Sequence, residues 1–337
     1  MDLSIGTPVD PVPEPVRTAL ANAADAPGYP VVQGTQRLRE VAAGWLARRH
    51  SVSADPSAVL PLIGSKEFIA ALPAMLGCGP GDTVVHPELA YPTYAIGARL
   101  AGATAVAADG LSALGPGRVA LVWVNSPGNP TGRVLPAAHL CKMVDWARER
   151  GAVIAADECY LDLGWDTEPV SILHPDVCGG SARGVLAVHS LSKRSNMAGY
   201  RAGFVTGDPA LIAELLEIRR HAGMMMPTPI QAAMATALDD DAHAGEQRAR
   251  YAARRDRLRA ALAAAGWVTE HSEAGLYLWV ARPGLDCWGS VQLLAEAGIL
   301  VAPGEFYGPA GASHVRVALT ATDERVDAAV ARLAAIA

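Results

Sequence analysis

Aromatic residues are scarce in this chain of 337 residues, at 5% of the total, and phenylalanine occurs only three times. The core must therefore be packed largely by Ala, Val and Leu. Cysteine is scarce too. The five present (Cys78, Cys141, Cys159, Cys178, Cys287) are odd in number and none lies close to another. That pattern excludes a disulfide frame and a zinc site, predicts no metal centre, and argues for a reducing compartment. Positive charge is not in excess, the net charge being -6, so there is no global basic field to attract nucleic acid or a membrane surface. No apolar run reaches the length of a membrane span. The start, Met1-Asp2-Leu3-Ser4-Ile5-Gly6, has no basic leader. Repeats and low-complexity linkers are missing. Together these absences predict a cytoplasmic, soluble protein. The one basic cluster, Arg248 to Arg259, is interleaved with Ala, Tyr and Leu at helical spacing and reads as a solvated helix face.

What is present is a globular balance, 51% hydrophobic and 18% charged. Three continuous apolar runs, Val119 to Val124, Ala152 to Ala156 and Val185 to Val188, each hand over to polar residues at their C-terminal ends. Pro136 to Gly151 lies between the first two, with Leu140, Met143, Val144 and Trp146 at helical spacing. Continuous apolar strands joined by helices predict an α/β fold with a mostly parallel sheet covered on both faces. Ligands in such sheets bind at the carboxyl edge, so Asn129, Asp157 and Lys193 should converge. The last third changes texture: a helix over Arg248 to Ala265, a strand over Leu276 to Val280, a helix over Ser290 to Ala297, a strand over His314 to Leu319 and a helix over Asp323 to Ala335. This predicts a smaller α/β domain, to which Leu3 to Pro8 return. The expected division is a large domain over 30–230 and a small one formed by 1–29 and 231–337.

Lys193 closes His189-Ser190-Leu191-Ser192-Lys193, and Arg201 follows in Gly199-Tyr200-Arg201-Ala202-Gly203. A lysine amine beside hydroxyls and an arginine suits a Schiff base next to a phosphate, as pyridoxal phosphate (PLP) requires. PLP also needs an acid at its ring nitrogen, donors at its phenolic oxygen and a phosphate cup. Asp157 suits the first; Asn129 and Tyr160 suit the second. Ser190, Ser192, Arg201 and the amides of Gly64-Ser65-Lys66, ahead of an apolar helix, suit the third. Taken singly, each residue is ambiguous. Asp157 reads equally as a surface acid, Tyr160 as a rim aromatic, Asn129-Pro130-Thr131-Gly132 as a turn, Gly64-Ser65 as a helix cap. The set, in this order at three strand ends, carries the argument.

With these motifs the chain resembles the class I/II aminotransferases of the fold-type I PLP family over nearly its whole length. The resemblance implies a PLP-dependent transferase fold of type I. It implies Lys193 as the Schiff-base lysine, Asp157 at the ring nitrogen, and Asn129 and Tyr160 at the phenolic oxygen. Cys159 would pack on one ring face and Tyr91 stack on it, with Ser190 and Arg201 on the phosphate. Tyr29 would reach the phosphate of a neighbouring subunit, making a homodimer with a shared site. Arg316 would bind the substrate α-carboxylate, with Gly6 beside it. Substrates would be small amino and keto acids, exchanged by a ping-pong route.

Four stretches (4–11, 87–94, 272–279 and 302–309) are similar to actinobacterial N-succinyldiaminopimelate aminotransferases of lysine biosynthesis. That family moves an amino group between glutamate and N-succinyl-2-amino-6-oxopimelate. Both donors carry a further carboxylate, so a second cationic patch is expected, with Lys66, Arg219 and Arg220 as candidates. Glu305 at the entrance would repel such a substrate unless paired. Relatives usually carry a further segment before the Leu3–Gly6 strand; here either it is absent or the start is truncated. Another amino-acid aminotransferase or a PLP-dependent carbon–sulfur β-lyase would use the same Lys193 and Asp157. A PLP-sensing regulatory domain is disfavoured by the acidic charge and by the lack of a basic helix-turn-helix segment before Gly6.

Overall fold

The computed structural model describes residues 1–110, 114 and 117–336. A seven-stranded sheet is built from β1 (Val59–Ile63), β2 (Thr83–His86), β3 (Thr104–Ala107), β4 (Val119–Asn125), β5 (Val153–Asp157), β6 (Val185–Ser190) and β7 (Ala202–Gly207). Its order is β1-β7-β6-β5-β4-β2-β3. The strands from β6 across to β3 pair in parallel; β7 alone is reversed, antiparallel to both of its neighbours.

The central strands are apolar throughout because both faces are covered. On β4, Val122 and Val124 join one buried cluster while Leu121 and Trp123 join the cluster on the opposite face. Ile154 and Ala156 against Ala155 on β5, and Val185 and Ala187 against Leu186 and Val188 on β6, repeat the division. The side-chain period of two thus feeds two cores from one strand.

A second sheet has the order β10-β11-β9-β8, from β8 (Val268–Glu270), β9 (Tyr277–Ala281), β10 (Ala302–Pro303) and β11 (His314–Ala318), all antiparallel. Leu3 pairs into its margin: its N–H donates to Leu300 O at 2.8 Å and its carbonyl accepts from Ala318 N at 2.8 Å. The segment around Leu3 therefore lies against this sheet. Helices Ala242–Ala264, Cys287–Glu296 and Asp323–Ala334 cover it, the last capped by the Thr322 hydroxyl with two acids in its first turn.

Two features differ from the sequence expectation. Helices Glu14–Asn22 and Thr228–Asp239 contribute Val16, Met234 and Leu238 to the core of the seven-stranded sheet. Packing therefore groups them with that sheet, whereas the sequence places 1–29 and 231–337 together in the small domain. And the basic run 248–259 is not a solvated face throughout. Arg254 and Arg255 are buried, Arg254 bonding Asp10 through both Nη atoms at 2.7 Å and Asp323 at 2.9 Å, Arg255 pairing with Asp166. Their partners lie far away in sequence, so local spacing does not reveal them. Among the described residues no helix is long and apolar enough to cross a membrane.

Candidate active site

Three parallel strands end side by side. Asn125 on β4 is in register with Asp157 on β5, and Asp157 with Val188 on β6, two residues before Ser190. These ends open into a cavity of about 710 Å³ between the two sheets. Its wall contains Gly6, Ser65, Lys66, Tyr91, Asn129, Asp157, Cys159, Tyr160, Ser190, Ser192, Lys193, Arg201 and Arg316. Residues spread from position 6 to position 316 thus meet in one place.

Lys193 lies on the short helix Leu191–Arg194, whose N-cap Ser190 accepts from Ser192 N. Its Nζ donates to Gly6 O. Asp157 is buried and held on three sides. Tyr94 Oη donates to Oδ2 at 2.8 Å, Cys159 N to Oδ1 at 3.2 Å, and Asn125 Nδ2 to the Asp157 carbonyl at 2.9 Å. Burial raises its carboxyl above the ordinary carboxylate range, against those hydrogen bonds. Among the described residues it has no cationic partner, so a positively charged ring N–H would match it. Burial also pushes the Tyr160 hydroxyl and the Cys159 thiol up, keeping both protonated, and Tyr160 as a donor.

The phosphate-cup candidates Ser65, Ser190, Ser192 and Arg201 line the same cavity. Gly64 has φ +75° and caps the helix Ser65–Met75. A Cβ there would stand 2.3 Å from Arg201 Nη2, so only glycine lets the guanidinium lie across this helix start. Gly64 itself is behind Arg201 and not in the wall. Arg201, in the left-handed region at φ 56°, anchors Nη1 on Ala198 O at 2.9 Å. Arginine, two serine hydroxyls and a helix N-terminus fit a phosphate, and the unpaired buried acid fits a pyridinium. The residues present therefore fit PLP.

Arg316 on β11 is buried. Nη1 donates to Asn129 Oδ1 at 2.9 Å and Nη2 to Ser4 O at 2.6 Å. The guanidinium lies 3.9 Å from the centre of the Tyr277 ring and 4.8 Å from that of Tyr307. Lys66 Nζ sits 5.5 Å over the Tyr91 ring at the mouth.

Other expectations are not met within this chain. Tyr29 is 93% exposed and outside the cavity wall. Arg219 is fully buried and bidentate to Glu67, at 2.8 and 3.1 Å, and Arg220 pairs with Glu217 at 2.7 Å. Neither lines the cavity, so of the three cations expected for a second carboxylate only Lys66 does. Glu305 accepts from Trp288 Nε1 at 2.8 Å rather than pairing with a cation. Sequence reasoning passed over Tyr94, Asn125, Tyr277 and Tyr307. A usable signal existed for Asn125, which ends the apolar run of β4. Tyr94 sits one helical turn after Tyr91 and showed none.

Over nearly its whole length the chain is also similar to known proteins. A family model described as aminotransferase class I and II matches residues 1–333. The chain is 62% identical to "Probable aminotransferase Rv1178" of Mycobacterium tuberculosis, covering 99% of this chain and 80% of that one. It is 60% identical to the 4-dedimethylamino-4-oxo-anhydrotetracycline transaminase OxyQ of Streptomyces rimosus, covering 99% and 92%. Among solved structures it is similar to a probable N-succinyldiaminopimelate aminotransferase from Thermus thermophilus, with TM-score 0.90, 31% identity and coverage of 100% and 95%.

Proposed function

Because the chain belongs to the class I and II aminotransferases and is thus PLP-dependent, we propose that it exchanges an amino group between glutamate and N-succinyl-2-amino-6-oxopimelate, forming N-succinyl-LL-2,6-diaminopimelate. The observation that carries this substrate reading is Lys66. It is the candidate cation that reaches the cavity without an ion-pair partner among the described residues, while Arg316 occupies the other wall. Two cations on one cavity suit a substrate with a carboxylate at each end. The likeness to the Thermus thermophilus protein supports it.

PLP, when bound, supplies the electron sink that makes the substrate Cα–H acidic. Asp157 would hold its ring nitrogen, Asn129 and Tyr160 its phenolic oxygen, and Ser65, Ser190, Ser192 and Arg201 its phosphate. Tyr91 and Cys159 would flank its ring, and Tyr29 of a second subunit would complete the phosphate site in a homodimer. Arg316 binds the α-carboxylate through its planar fork and so fixes which substituent of Cα faces Lys193. Lys193 Nζ then takes the Cα proton and serves afterwards as the acid that returns one.

A second reading keeps this chemistry and changes the ketone. The 60% identity to OxyQ, named for an anhydrotetracycline, favours a ring-borne acceptor. Ile5 and Phe306, 60% and 59% exposed, line the cavity, and Trp288 stands edge-on to Phe306 with centroids 5.8 Å apart. Half-reactions on the PLP-loaded protein separate the two. Glutamate should bleach the visible cofactor band, and N-succinyl-2-amino-6-oxopimelate should restore it. Restoration by an anhydrotetracycline ketone and not by the acyclic keto acid would replace the first reading with the second.

A further inference from the structure

Tyr277 makes three contacts that no expectation assigned. It stands on β9 opposite Ala318 of β11, which places it diagonal to Arg316, two residues earlier on the same face. Its ring therefore lies against the Arg316 guanidinium, at 3.9 Å. Its hydroxyl lies 3.2 Å from the hydroxyl of Tyr160, which follows β5 of the large sheet. The same hydroxyl occupies the space where a Cβ on Gly6 would be, 2.0 Å away. One side chain of the small sheet thus touches the carboxylate anchor, a phenolic donor from the large sheet, and the N-terminal strand whose carbonyl holds Lys193.

We propose that Tyr277 is a positioning residue with two separable parts: its ring sets the plane of Arg316 for the substrate carboxylate, and its hydroxyl strengthens Tyr160 as a donor to the cofactor's phenolic oxygen. The ring part follows from geometry. A guanidinium held over an aromatic face keeps its N–H groups pointing away from the ring. In Arg316 one N–H of each Nη is taken by Asn129 and Ser4, and the second on each remains for a carboxylate. A buried cation–π contact is strong enough to fix that orientation. The hydroxyl part follows from hydrogen-bond cooperativity. When Tyr160 donates its proton to a ligand, its oxygen becomes an acceptor for Tyr277, and each bond strengthens the other in a low-dielectric site. Among the described residues Tyr277, Cys159 and Arg316 act on Tyr160. Burial keeps the Cys159 thiol neutral, and the Tyr277 hydroxyl is the group that stands at hydrogen-bond distance, 3.2 Å, from the Tyr160 oxygen.

This rests on the reading of Arg316 and Tyr160 given above, and the test separates the two. In PLP-loaded protein, Tyr277→Phe keeps the ring and removes the hydroxyl. The pH midpoint of the visible cofactor band should rise by about half a unit or more, while KM for glutamate stays within about twofold. Tyr277→Met keeps bulk on β9 and removes the aromatic face; KM for glutamate should rise about tenfold, more than kcat falls. Arg316→Lys and Tyr160→Phe are run alongside. If they leave KM and the band midpoint unmoved, the underlying site reading fails. If they move them and the Tyr277 variants do not, the Tyr277 proposal fails. Should Tyr277→Met not fold, Tyr277→Phe alone decides: an unchanged midpoint overturns the proposal.

Discussion

Along the seven-stranded sheet the site residues stand at strand ends, whereas on the four-stranded sheet they stand on a face. Asn125, Asp157 and Ser190 finish β4, β5 and β6, and the segments that follow carry Asn129, Tyr160 and Lys193. Arg316 lies in the middle of β11 and Tyr277 opens β9, both on the sheet face that the strand alternation turns to the cavity. The difference teaches how the two walls can be altered. An edge residue is presented by a connecting segment and positioned by short hydrogen bonds of its own, as Asp157 is by Tyr94, Asn125 and Cys159. Arg316 on the face is positioned by two tyrosine rings, Tyr277 of β9 and Tyr307 of the segment Gly304–Tyr307, in addition to its bonds to Asn129 and Ser4. Changes at the edge should act on cofactor chemistry and changes at Arg316 on substrate affinity, while Tyr277, which touches both Arg316 and Tyr160, should divide its effect between the two.

Three measurements would break or sharpen that contrast. The largest effect is expected from Lys193→Ala, an edge residue: the visible cofactor band should vanish and turnover should fall by about 10⁴-fold or more. A band and rate near wild type would remove Lys193 from the chemistry. Arg316→Lys keeps the face charge and loses the planar fork. KM for glutamate should rise ~30-fold, equivalent to about 2 kcal/mol, with the band unchanged. A collapse of the band instead would show that the two walls are not separable. The smallest effect on activity should come from Glu158, next to Asp157 but buried away from the cavity. It accepts from Ser171 Oγ at 2.8 Å and Ile172 N at 2.6 Å, and burial raises its carboxyl to about 8. The folded state therefore keeps the Glu158 proton where the unfolded chain, near the ordinary 4.5, has released it. This contribution is fully present below the lower value and is lost as pH rises towards the higher one. Glu158→Gln preserves the acceptor for Ile172 without the ionisation. Melting temperatures should show wild type losing ground to the variant between pH 5 and pH 8, as the window set by those two values requires. A constant difference across that range would mean that Glu158 does not titrate as burial dictates.

The same contrast explains what could be read in advance. Edge residues announce themselves because an apolar run stops and polar residues begin, and the three such stops, after Val124, Ala156 and Val188, predicted both the parallel sheet and the meeting of Asn129, Asp157 and Lys193 at its edge. Tyr277 gave no such signal. In Leu276-Tyr277-Leu278-Trp279 it reads as one more apolar strand residue, and only the pairing with β11 turns it to Arg316. Arg219 failed in the opposite way. It was a candidate cation for the substrate's second carboxylate, but Glu67, 152 positions away, meets it in a bidentate pair that no local pattern encodes. Arg254 and Asp10 repeat this across 244 positions. Long-range ion pairs depend on the assembled fold, and single-sequence periodicity carries no record of them.

The contact between Gly6 and Tyr277 also constrains the order in which this pocket can change over generations. With tyrosine at 277, every replacement of Gly6 must displace a hydroxyl that sits where its Cβ would be. With a shorter residue at 277, that volume is released. A lineage that widens the pocket by first shortening 277 gains a second mutable position on the N-terminal strand. One that starts at 6 must first move the Tyr277 side chain and its contacts with Arg316 and Tyr160, so the two sites are coupled.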